Sequence, residues 1–590
     1  MKILPKIEGP NDLKTLNNEE LSTLAEEIRE TLIKKLSLHG GHLGPNLGFV
    51  EATIALHYVF NSPLDKFIFD VSHQTYSHKI LTGRKEAFIS AEHYNDVSGY
   101  TNPEESDHDL FNVGHTSTSI SLASGVATAR DLQHEKYNVI AIIGDGSLSG
   151  GEALEGLDFA GNMDTNLIIV VNDNNMSIAP NHGGLYKSLK DLRETNGQSP
   201  NNIFKAMGLD YTFVKNGNSL PELITTFKQV KDINHPIVVH IVTEKGKGFK
   251  PAETHKEQWH WTMPFDINNP EKKPISTSED YGEITGKYLL DKIKQDPKVA
   301  VVVAAVPTNI GFDEKRRKEA KSNFLDVAIA EEHAIALVSG IAKNHGKPVF
   351  ATYSSFIQRT YDQMSQDLCI NNNPATILVN GASIYGMNDV THLGIYDIPL
   401  LSNIPNLVYL APTSKEEYLN MLSWSIEQEN HPVAIRIPCN EVVTDNRIPD
   451  KNYDNINTYK MEQSGSNIAI LALGDFYQLG EKLSQDIETE LNIKPTLINP
   501  RFITGLDKNM LSSLKENHNT IITLEDGILD GGFGQKIASY YGKDNIKVLN
   551  YGLEKKFYDR YKVEEVLKEN RLTTEQIIED IKNLKLNITK

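Results

Sequence analysis

The chain has 590 residues, of which 39% are hydrophobic and 23% charged, and its formal net charge is -19. This length predicts several domains, each able to bury its own core, and the acidic balance argues against a nucleic-acid-binding protein. Cys369 and Cys439 have no metal-binding or disulfide-framework spacing and fit a reducing cytoplasm. No signal-peptide pattern precedes the first predicted helix and no apolar run reaches about 18 residues, so we expect a cytoplasmic protein without a membrane span.

The first predicted elements are a helix and a glycine-rich loop. Apolar residues at helical spacing between Leu21 and Leu36 predict an amphipathic helix over residues 19–36. The glycines of 40–48 then allow close approach of the backbone to another group. His42 in this loop could face a ligand, although a histidine in such a loop, taken alone, is more often structural.

A strand and two histidines follow. The apolar run Phe67–Val71 predicts a strand, with His73 and His78 just beyond its end. Two histidines five residues apart make a poor metal pair on a helix, so contact with a diphosphate or proton transfer is the better interpretation. Residues 112–119 then open another helix, where hydroxyls and N–H groups suit capping and anion binding equally.

Two short apolar runs carry the most informative motifs. Val139–Ile143 leads into GDG at 144–146, and Leu167–Val171 leads into NDN at 172–174. Both runs are rich in β-branched residues and bounded by turn residues, which predicts buried parallel strands. Ligands bind at the carboxyl ends of such strands.

The residues at these two strand ends suit a cation and a diphosphate. Asp145 and Asn174 offer hard oxygen ligands, and Mg²⁺ takes a few of these from protein and the rest from phosphate and water. Glycines let backbone N–H groups approach phosphate oxygens. The 27 residues between Gly146 and Asn174 hold one helix and one strand, which is the spacing of the thiamine-diphosphate fingerprint.

The segments after this motif are less regular. Residues 181–235 are polar and turn-rich, and the KGKGF run occupies 245–249. His260 lies between two tryptophans, which fits either a reaction centre or a Trp-His-Trp packing patch. Residues 267–281 lack apolar periodicity and contain two prolines, so we interpret them as a linker.

A second strand-helix series begins with a predicted strand at Val299–Val306. Its informative motif is DVAIAEEHA at 326–334. Glutamate pairs on helices usually form solvated faces. Glu331, however, follows an apolar run and precedes a helical one, so we expect partial burial, which raises the pKa of a carboxyl and lets it exchange a proton.

Four motifs together resemble one enzyme family. DVSHQTYSHKILTGR, VGHTSTSIS, GDGSLSGG and NDNNMSIAPN resemble the first domain of 1-deoxy-D-xylulose-5-phosphate synthases, which are transketolase-like thiamine-diphosphate enzymes. The resemblance implies an α/β fold of three doubly wound domains at 1–266, 282–445 and 455–590, with the linker at 267–281. It also implies a homodimer whose site lies between the first two domains of one chain.

The resemblance further assigns roles to individual residues. Glu331 would contact the aminopyrimidine ring and promote deprotonation of the cofactor. The candidate proton shuttles and oxyanion partners are His42, His73, His260 and His392, and the substrate-side residues are Tyr353, Arg359 and Asp389. Mg²⁺ would be held by Asp145, Asn174 and the Met176 carbonyl. The cofactor contacts would be His73, Gly114, His115, Thr116, Gly144, Asp145, Gly146, Ser147, Asn174, Met176 and Phe356.

The sequence departs from this family at the acceptor end. The family reads the phosphate of D-glyceraldehyde 3-phosphate largely with arginines, and this chain has Gly381 and Cys439 at two of those positions. Because arginine binds phosphate through a rigid, charged fork, their loss weakens the expected phosphate binding. A Lys or Arg from another segment would indicate a rebuilt phosphate site, whereas neutral groups would indicate another acceptor.

Three functions are therefore compared. The first condenses pyruvate, with decarboxylation, and D-glyceraldehyde 3-phosphate to 1-deoxy-D-xylulose 5-phosphate for isoprenoid and thiamine biosynthesis. The second is a related carboligase or transketolase-type enzyme with a different aldehyde acceptor, phosphorylated or not. The third is a non-catalytic paralogue that binds the cofactor, and Glu331 with the four histidines weighs against it.

Overall fold

The computed structural model describes residues 1–270, 279–385 and 389–584. They form two compact units, one made of the described residues up to 270 with Ala328–Ala330 and the other of the remaining described residues. Most of the linker predicted at 267–281 lies outside the described residues. Within these described ranges, no helix is both long enough and apolar enough to cross a membrane.

The first unit is built on a five-stranded, fully parallel sheet in the order β1-β2-β3-β5-β4. Its central strands are buried along nearly their whole length, as expected where helices cover both faces. The strands are β1 Lys66–Phe69, β2 Val139–Gly144, β3 Leu167–Asp173, β4 Asp210–Val214 and β5 Pro236–Val242. The α-helices are Pro10–Leu13, Asn18–His39, Leu43–Gly48, Val50–Val59, Tyr76–Lys79, Glu86–Ile89, Ser119–Leu132, Gly151–Ala160, Gly184–Glu194, Ile203–Ala206, Leu220–Val230 and Lys250–Thr254.

The second unit contains a six-stranded parallel sheet in the order β10-β11-β9-β8-β6-β7. The strands are β6 Val299–Val303, β7 Phe324–Asp326, β8 Lys347–Tyr353, β9 Thr376–Ala382, β10 Val408–Leu410 and β11 Val433–Pro438. The α-helices of this part are Tyr281–Gln295, Glu314–Ala320, Glu331–Lys343, Tyr361–Gln363, Asp397–Leu401 and Lys415–Glu427.

The same unit contains a five-stranded sheet in the order β12-β14-β13-β15-β16, parallel except for the edge strand β12. The strands are β12 Lys460–Gln463, β13 Asn467–Ala472, β14 Thr496–Asn499, β15 His518–Ile528 and β16 Lys547–Leu553. The α-helices are Tyr477–Leu491, Lys508–Leu514, Phe533–Tyr541, Val563–Glu569 and Thr574–Asn583. Three helix-covered α/β sheets confirm the predicted fold class, with one sheet in each predicted domain.

Three predictions on local structure need correction. The strand expected at Val299–Val306 ends at Val303, and Ala305 beyond it takes a positive φ angle of 61°. The strand expected at Phe67–Val71 ends at Phe69, because Val71 and Ser72 take positive φ angles of 57° and 65° that extended chain does not allow. The segment 181–235, expected to be mainly turns, contains three helices and a strand. Its apolar residues are widely spaced, and packing on the sheet stabilises them as helix faces.

A buried ion-pair network joins the two sheets of the second unit. Arg436 on β11 donates from Nε to Asp397 Oδ2 at 2.7 Å and from Nη1 to both carboxylate oxygens of Asp526 at 2.6 Å. Both carboxylates are fully buried and the arginine nearly so. Removing one member of such a network leaves an uncompensated charge in the interior.

The buried carboxyl of Glu525, next to this ion-pair network, allows a prediction of how the stability of the protein varies with pH. Its carboxylate accepts hydrogen bonds from the N–H groups of Phe533 and Gly534 at 2.8 Å. Burial raises its pKa to about 8 from the usual 4.5. A raised folded-state pKa gives a contribution to stability that is full below pH 4.5 and lost as the pH rises through about 8.

We therefore expect the denaturant midpoint of the wild-type chain to fall between about pH 5 and pH 9. Glu525→Gln should flatten that decline, because the amide keeps its shape and does not titrate in this range. Chemical unfolding followed by circular dichroism at several pH values measures both slopes. Glu490→Gln, at the surface, is the control, and equal slopes for wild type and Glu525→Gln would contradict the assignment.

Candidate functional site

Three of the predicted histidines come together in the first unit. The ring centroids of His42 and His73 are 5.1 Å apart, those of His42 and His260 5.5 Å, and those of His73 and His260 5.3 Å. These residues are 31 to 218 positions apart in sequence. The convergence supports a reaction centre more than a packing patch, although Trp259 beside His260 is itself buried.

Hydrogen bonds to backbone carbonyls hold the three clustered histidines in place. The buried Asn46 side chain donates from Nδ2 to the carbonyls of His42 and His73, both at 2.7 Å. The Gly44 N–H donates to the Trp259 carbonyl at 2.8 Å. A Cβ at position 44 would lie 2.8 Å from that same oxygen, so only glycine permits this approach. Asn46 is therefore a positioning residue that sequence reasoning missed.

Lys245 links the histidine cluster to the loop that follows β3. Its Nζ donates to the Ser177 carbonyl at 2.6 Å and lies 2.9 Å from His260 Nδ1. Burial lowers the pKa of Lys245 to about 7, against the opposing effect of Asp145. Burial, with Lys245 as the next cause, also holds the pKa of His260 well below its usual value. His260 is thus a neutral imidazole near pH 7, with one ring nitrogen that donates a hydrogen bond and one that accepts.

The predicted cation ligands occupy the adjacent strand ends. Asp145, Gly146 and Ser147 form a 3-10 turn directly after Gly144, the last residue of β2. Asp145 is buried and accepts a hydrogen bond from Asn181 Nδ2 at 2.8 Å. Asn174 follows β3, and its Oδ1 is buried without a hydrogen-bond partner among the described residues. Met176 forms a β-bridge with Pro180 that closes this loop.

The charges at this position suit a divalent cation. Burial, and then the neighbouring Asp173 carboxylate, raise the pKa of Asp145 well above its usual value. A carboxyl with a like charge beside it and an unsatisfied amide oxygen nearby would both gain from a bound cation. Within the described ranges, no three His, Cys, Asp or Glu side chains converge as metal ligands. A cation here would therefore be held by one carboxylate, that of Asp145, together with amide, carbonyl and phosphate oxygens.

Segment 181–235 contacts Asp173, the last residue of β3, and so stabilises the loop that follows this strand. Arg193, on helix Gly184–Glu194, donates to both carboxylate oxygens of Asp173, at 2.8 Å and 2.6 Å. His240 on β5 also bonds Asp173 at 2.9 Å. Although burial opposes it, these two partners lower the pKa of Asp173. A cavity of about 460 Å³ lies on this side and is lined in part by Asn175, Asn181, Tyr186, Lys187, Lys190 and Arg193.

Buried carboxylates bind two features near β1 that the sequence left open, the start of helix Ser119–Leu132 and the ring of His78. Asp70 accepts from the N–H groups of Ser117 and Ser119 at 2.8 Å and 3.0 Å, so the start of helix Ser119–Leu132 binds an internal anion. Gly114, His115 and Thr116 lie in the loop just before it. His78 is fully buried and bonds Asp109 at 2.9 Å. Its other ring nitrogen lies 2.9 Å from His57 Nε2, so both ring nitrogens are engaged inside the protein and these contacts are structural.

In the second unit, Glu331 is the first residue of helix Glu331–Lys343 and is only 3% exposed. Its Oε2 accepts no hydrogen bond from the described residues, and Arg359 Nη1 lies 3.9 Å away. Burial raises the pKa of Glu331 to about 7, against the opposing effect of Arg359. This confirms the expected partial burial and raised pKa.

Aromatic and polar side chains follow β8 in the same unit. The rings of Tyr353 and Phe356 are 5.4 Å apart, and Phe356 lies 5.7 Å from the ring of His392. His392 Nδ1 is 3.5 Å from Asp389 Oδ1. The structure thus groups His392 with the predicted substrate-side residues, and the other three histidines with the predicted cation ligands.

The acceptor end contains a carboxylate that sequence reasoning missed. Gly381 is the penultimate residue of β9 and Cys439 directly follows β11, and these are the two positions where the resemblance predicted arginines. Next to them, Asp475 Oδ2 accepts from Ser383 Oγ at 2.8 Å. The only signal in the sequence is a strand followed by LGD, which is common in turns.

Comparison with known proteins places these features in one family. Residues 4–199 and 193–243 match the family model described as 1-deoxy-D-xylulose-5-phosphate synthase. Residues 278–443 and 457–577 match the pyrimidine-binding and C-terminal domains of transketolase. The chain is 39% identical to the 1-deoxy-D-xylulose-5-phosphate synthase of Alkaliphilus oremlandii, over 98% of this chain and 99% of that relative. The chain belongs to this family.

A second 1-deoxy-D-xylulose-5-phosphate synthase, from Clostridium beijerinckii, is 38% identical over 98% of both chains. The family resemblance therefore extends across all three sheets. A solved transketolase from Pichia stipitis aligns with 95% of this chain at 16% identity and a TM-score of 0.44, too low a value to add to the assignment.

Proposed function

We infer that the chain is a thiamine-diphosphate-dependent transferase that decarboxylates pyruvate and condenses it with D-glyceraldehyde 3-phosphate to form 1-deoxy-D-xylulose 5-phosphate. Family membership supports this reaction. The observation that carries it is Glu331, a buried carboxyl whose pKa is raised to about 7. A silent paralogue has no use for so costly a buried acid.

The residues present fit both parts of the cofactor. Asp145, Asn174 and the Met176 carbonyl are proposed to hold Mg²⁺, and Gly146 and Ser147 to lie along the diphosphate. Glu331 and Phe356 are proposed to contact the aminopyrimidine. When bound, thiamine diphosphate supplies a carbanion and an electron sink for decarboxylation. The orphaned oxygens of Asn174 and Glu331 are the observations that support this fit.

The protein's own contribution is proton transfer and positioning. With a pKa of about 7, Glu331 can hold a proton or release it at neutral pH. His42, His73 and His260 are the proposed proton shuttles and oxyanion partners of the first unit, and Lys245 fixes the orientation of His260. Proton transfer by a positioned side chain contributes roughly 10²- to 10⁴-fold to rate.

Cation binding provides a prediction that does not depend on turnover. Asp145→Ala should weaken Mg²⁺-dependent binding of thiamine diphosphate by roughly 100-fold or more, since even changes beyond the direct ligands cost 10- to 100-fold. Isothermal calorimetry with and without Mg²⁺ measures this. Asp158→Ala, on the exposed face of helix Gly151–Ala160, is the matched control. Unchanged Mg²⁺ dependence in Asp145→Ala would refute the ligand assignment.

The family resemblance is also our ground for proposing a homodimer in the cytoplasm. Sedimentation equilibrium of the cofactor-loaded protein tests the dimer. A mass of one chain at micromolar concentration would rule it out.

The reaction itself is tested by release of CO₂ from pyruvate with thiamine diphosphate and Mg²⁺, with and without D-glyceraldehyde 3-phosphate. Stimulated release with a deoxyxylulose phosphate product is the expected result. CO₂ release that D-glyceraldehyde 3-phosphate does not stimulate would support pyruvate as the donor and rule out this acceptor. No release under either condition would overturn the proposed function.

A further inference from the structure

Asp475 lies within a ring of uncharged polar groups at the strand ends of the second unit. Its carboxylate accepts from Ser383 Oγ at 2.8 Å and from Asn440 Nδ2 at 3.4 Å. Asp475 follows β13, Ser383 follows β9, and Asn440 follows β11, so all three occupy carboxyl ends of parallel strands, where ligands bind. With Tyr353 and Cys439 they form what we call the Asp475 cluster.

The members of the Asp475 cluster interact with one another. Burial and the Asp475 carboxylate raise the pKa of Cys439. Burial, and then Cys439, raise the pKa of Tyr353 to about 12. Beyond the cluster, burial and Asp475 together raise the pKa of Tyr385 to about 12. Among the described residues, the members of the cluster around Asp475 at neutral pH are therefore a neutral phenol, a neutral thiol, a hydroxyl and an amide.

The guanidinium that lowers the pKa of Asp475 belongs to Arg436, which is already paired with two other carboxylates. Arg436 lowers the pKa of Asp475, but less than burial and Asp526 raise it, and the outcome is about 6. The same guanidinium is engaged by the buried carboxylates of Asp397 and Asp526. Three carboxylates thus face one arginine, and Asp475 accepts both of its hydrogen bonds, as an ionised carboxylate does.

The chain also leaves no room for a cation at position 381. Gly381 has a φ of 66°, and a Cβ there would lie 2.9 Å from Tyr353 Cδ1. A longer side chain would require both a different backbone and a displaced tyrosine. Tyr353 thus occupies the space next to Gly381, and the end of the cluster is closed by an aromatic ring.

We propose that Asp475 makes the acceptor end select an aldehyde whose far end is uncharged and hydroxyl-bearing over one that ends in a phosphate dianion. A carboxylate within a half-buried ring repels a dianion, because like charges are poorly screened there, and accepts hydrogen bonds from hydroxyls. The inference rests on the proposed function, since it names the acceptor class of the same reaction. D-Glyceraldehyde 3-phosphate remains a substrate, with the lower kcat/KM of the two.

Two measurements on the full-length protein, loaded with thiamine diphosphate and Mg²⁺, test this proposal. The first is the ratio of kcat/KM for D-glyceraldehyde 3-phosphate to that for D-glyceraldehyde, with pyruvate saturating. The second is calorimetric binding of glycerol 3-phosphate, an unreactive probe. Each is made on wild type, on Asp475→Asn, which keeps the shape and removes the charge, and on the surface control Asp530→Asn.

We expect the wild-type ratio to lie below one and Asp475→Asn to raise it by roughly tenfold or more, mainly through KM of the phosphorylated acceptor. Glycerol 3-phosphate should bind Asp475→Asn at least about tenfold more tightly than wild type, and Asp530→Asn should match wild type. A ratio above one in wild type, or equal probe binding in wild type and Asp475→Asn, would overturn the proposal. Failure of the proposed function appears separately, as no pyruvate consumption with either acceptor, while probe binding still reports the selectivity.

Discussion

Glu331→Ala is expected to lower turnover by roughly 10²- to 10⁴-fold, the range for loss of a positioned proton-transfer group. The wild-type carboxyl titrates near pH 7 because it is buried, and alanine can neither hold nor release a proton. Pyruvate-dependent product formation under saturating thiamine diphosphate and Mg²⁺ measures the effect. The fold should be retained, since Oε2 accepts no hydrogen bond from the described residues.

The neighbouring Glu332→Ala is the matched control, because it removes the same group one position along the helix and on a more exposed face. Its turnover should stay close to that of wild type. Glu331→Gln separates proton transfer from hydrogen bonding, and we expect it to be nearly as impaired as alanine. Wild-type turnover in Glu331→Ala would remove this residue from the mechanism.

Arg436→Ala is expected to lower the free energy of unfolding of the second unit by about 3–5 kcal/mol, because it leaves two buried carboxylates without their cation. Asp397 and Asp526 are both fully buried. Asp397 begins a helix in the part built on the six-stranded sheet, whereas Asp526 lies on β15 of the five-stranded sheet. The loss of Arg436 should therefore also loosen the contact between these two sheets. Urea unfolding followed by circular dichroism measures the change.

Arg571→Ala is the control for this experiment. Arg571 pairs with Asp580 at 2.7 Å, but its side chain is 43% exposed, so water replaces the lost partner and the midpoint should hardly move. A midpoint for Arg436→Ala as high as that of Arg571→Ala would show that the buried network contributes little stability. Double replacement of Asp397 and Asp526 by asparagine should partly offset Arg436→Ala, because it removes the unpaired charges.

Local sequence patterns were sufficient to predict the main strands and the GDG and NDN motifs that follow two of them. Apolar β-branched runs ending in GDG and NDN predicted β2 and β3, and the structure confirms both strands with Asp145 and Asn174 at their ends. Burial of Glu331 also followed from its apolar flank. These predictions succeed because strand period, turn residues and flanking hydrophobicity act over a few residues.

Contacts between distant segments needed the tertiary structure. The sequence offered His42, His73, His78 and His260 as similar candidates, and only packing separates His78, bonded to Asp109, from the three that converge. Likewise, the helix start at Ser119 looked open to an anion until Asp70, 49 residues away, was found bound there. Which donor meets which carboxylate is decided by the sheet register and loop paths, which no local pattern records.

The sequence by itself therefore determined the α/β class and the family, and through the resemblance it predicted the cofactor ligands and the absence of two acceptor-side arginines, at Gly381 and Cys439. Only the tertiary structure showed which side chains lie near Gly381 and Cys439. It brings Asp475, from the strand series that contributes the third sheet, beside Ser383 and Asn440. This grouping depends on three strand ends meeting in space, and proximity of this kind arises from packing across sheets.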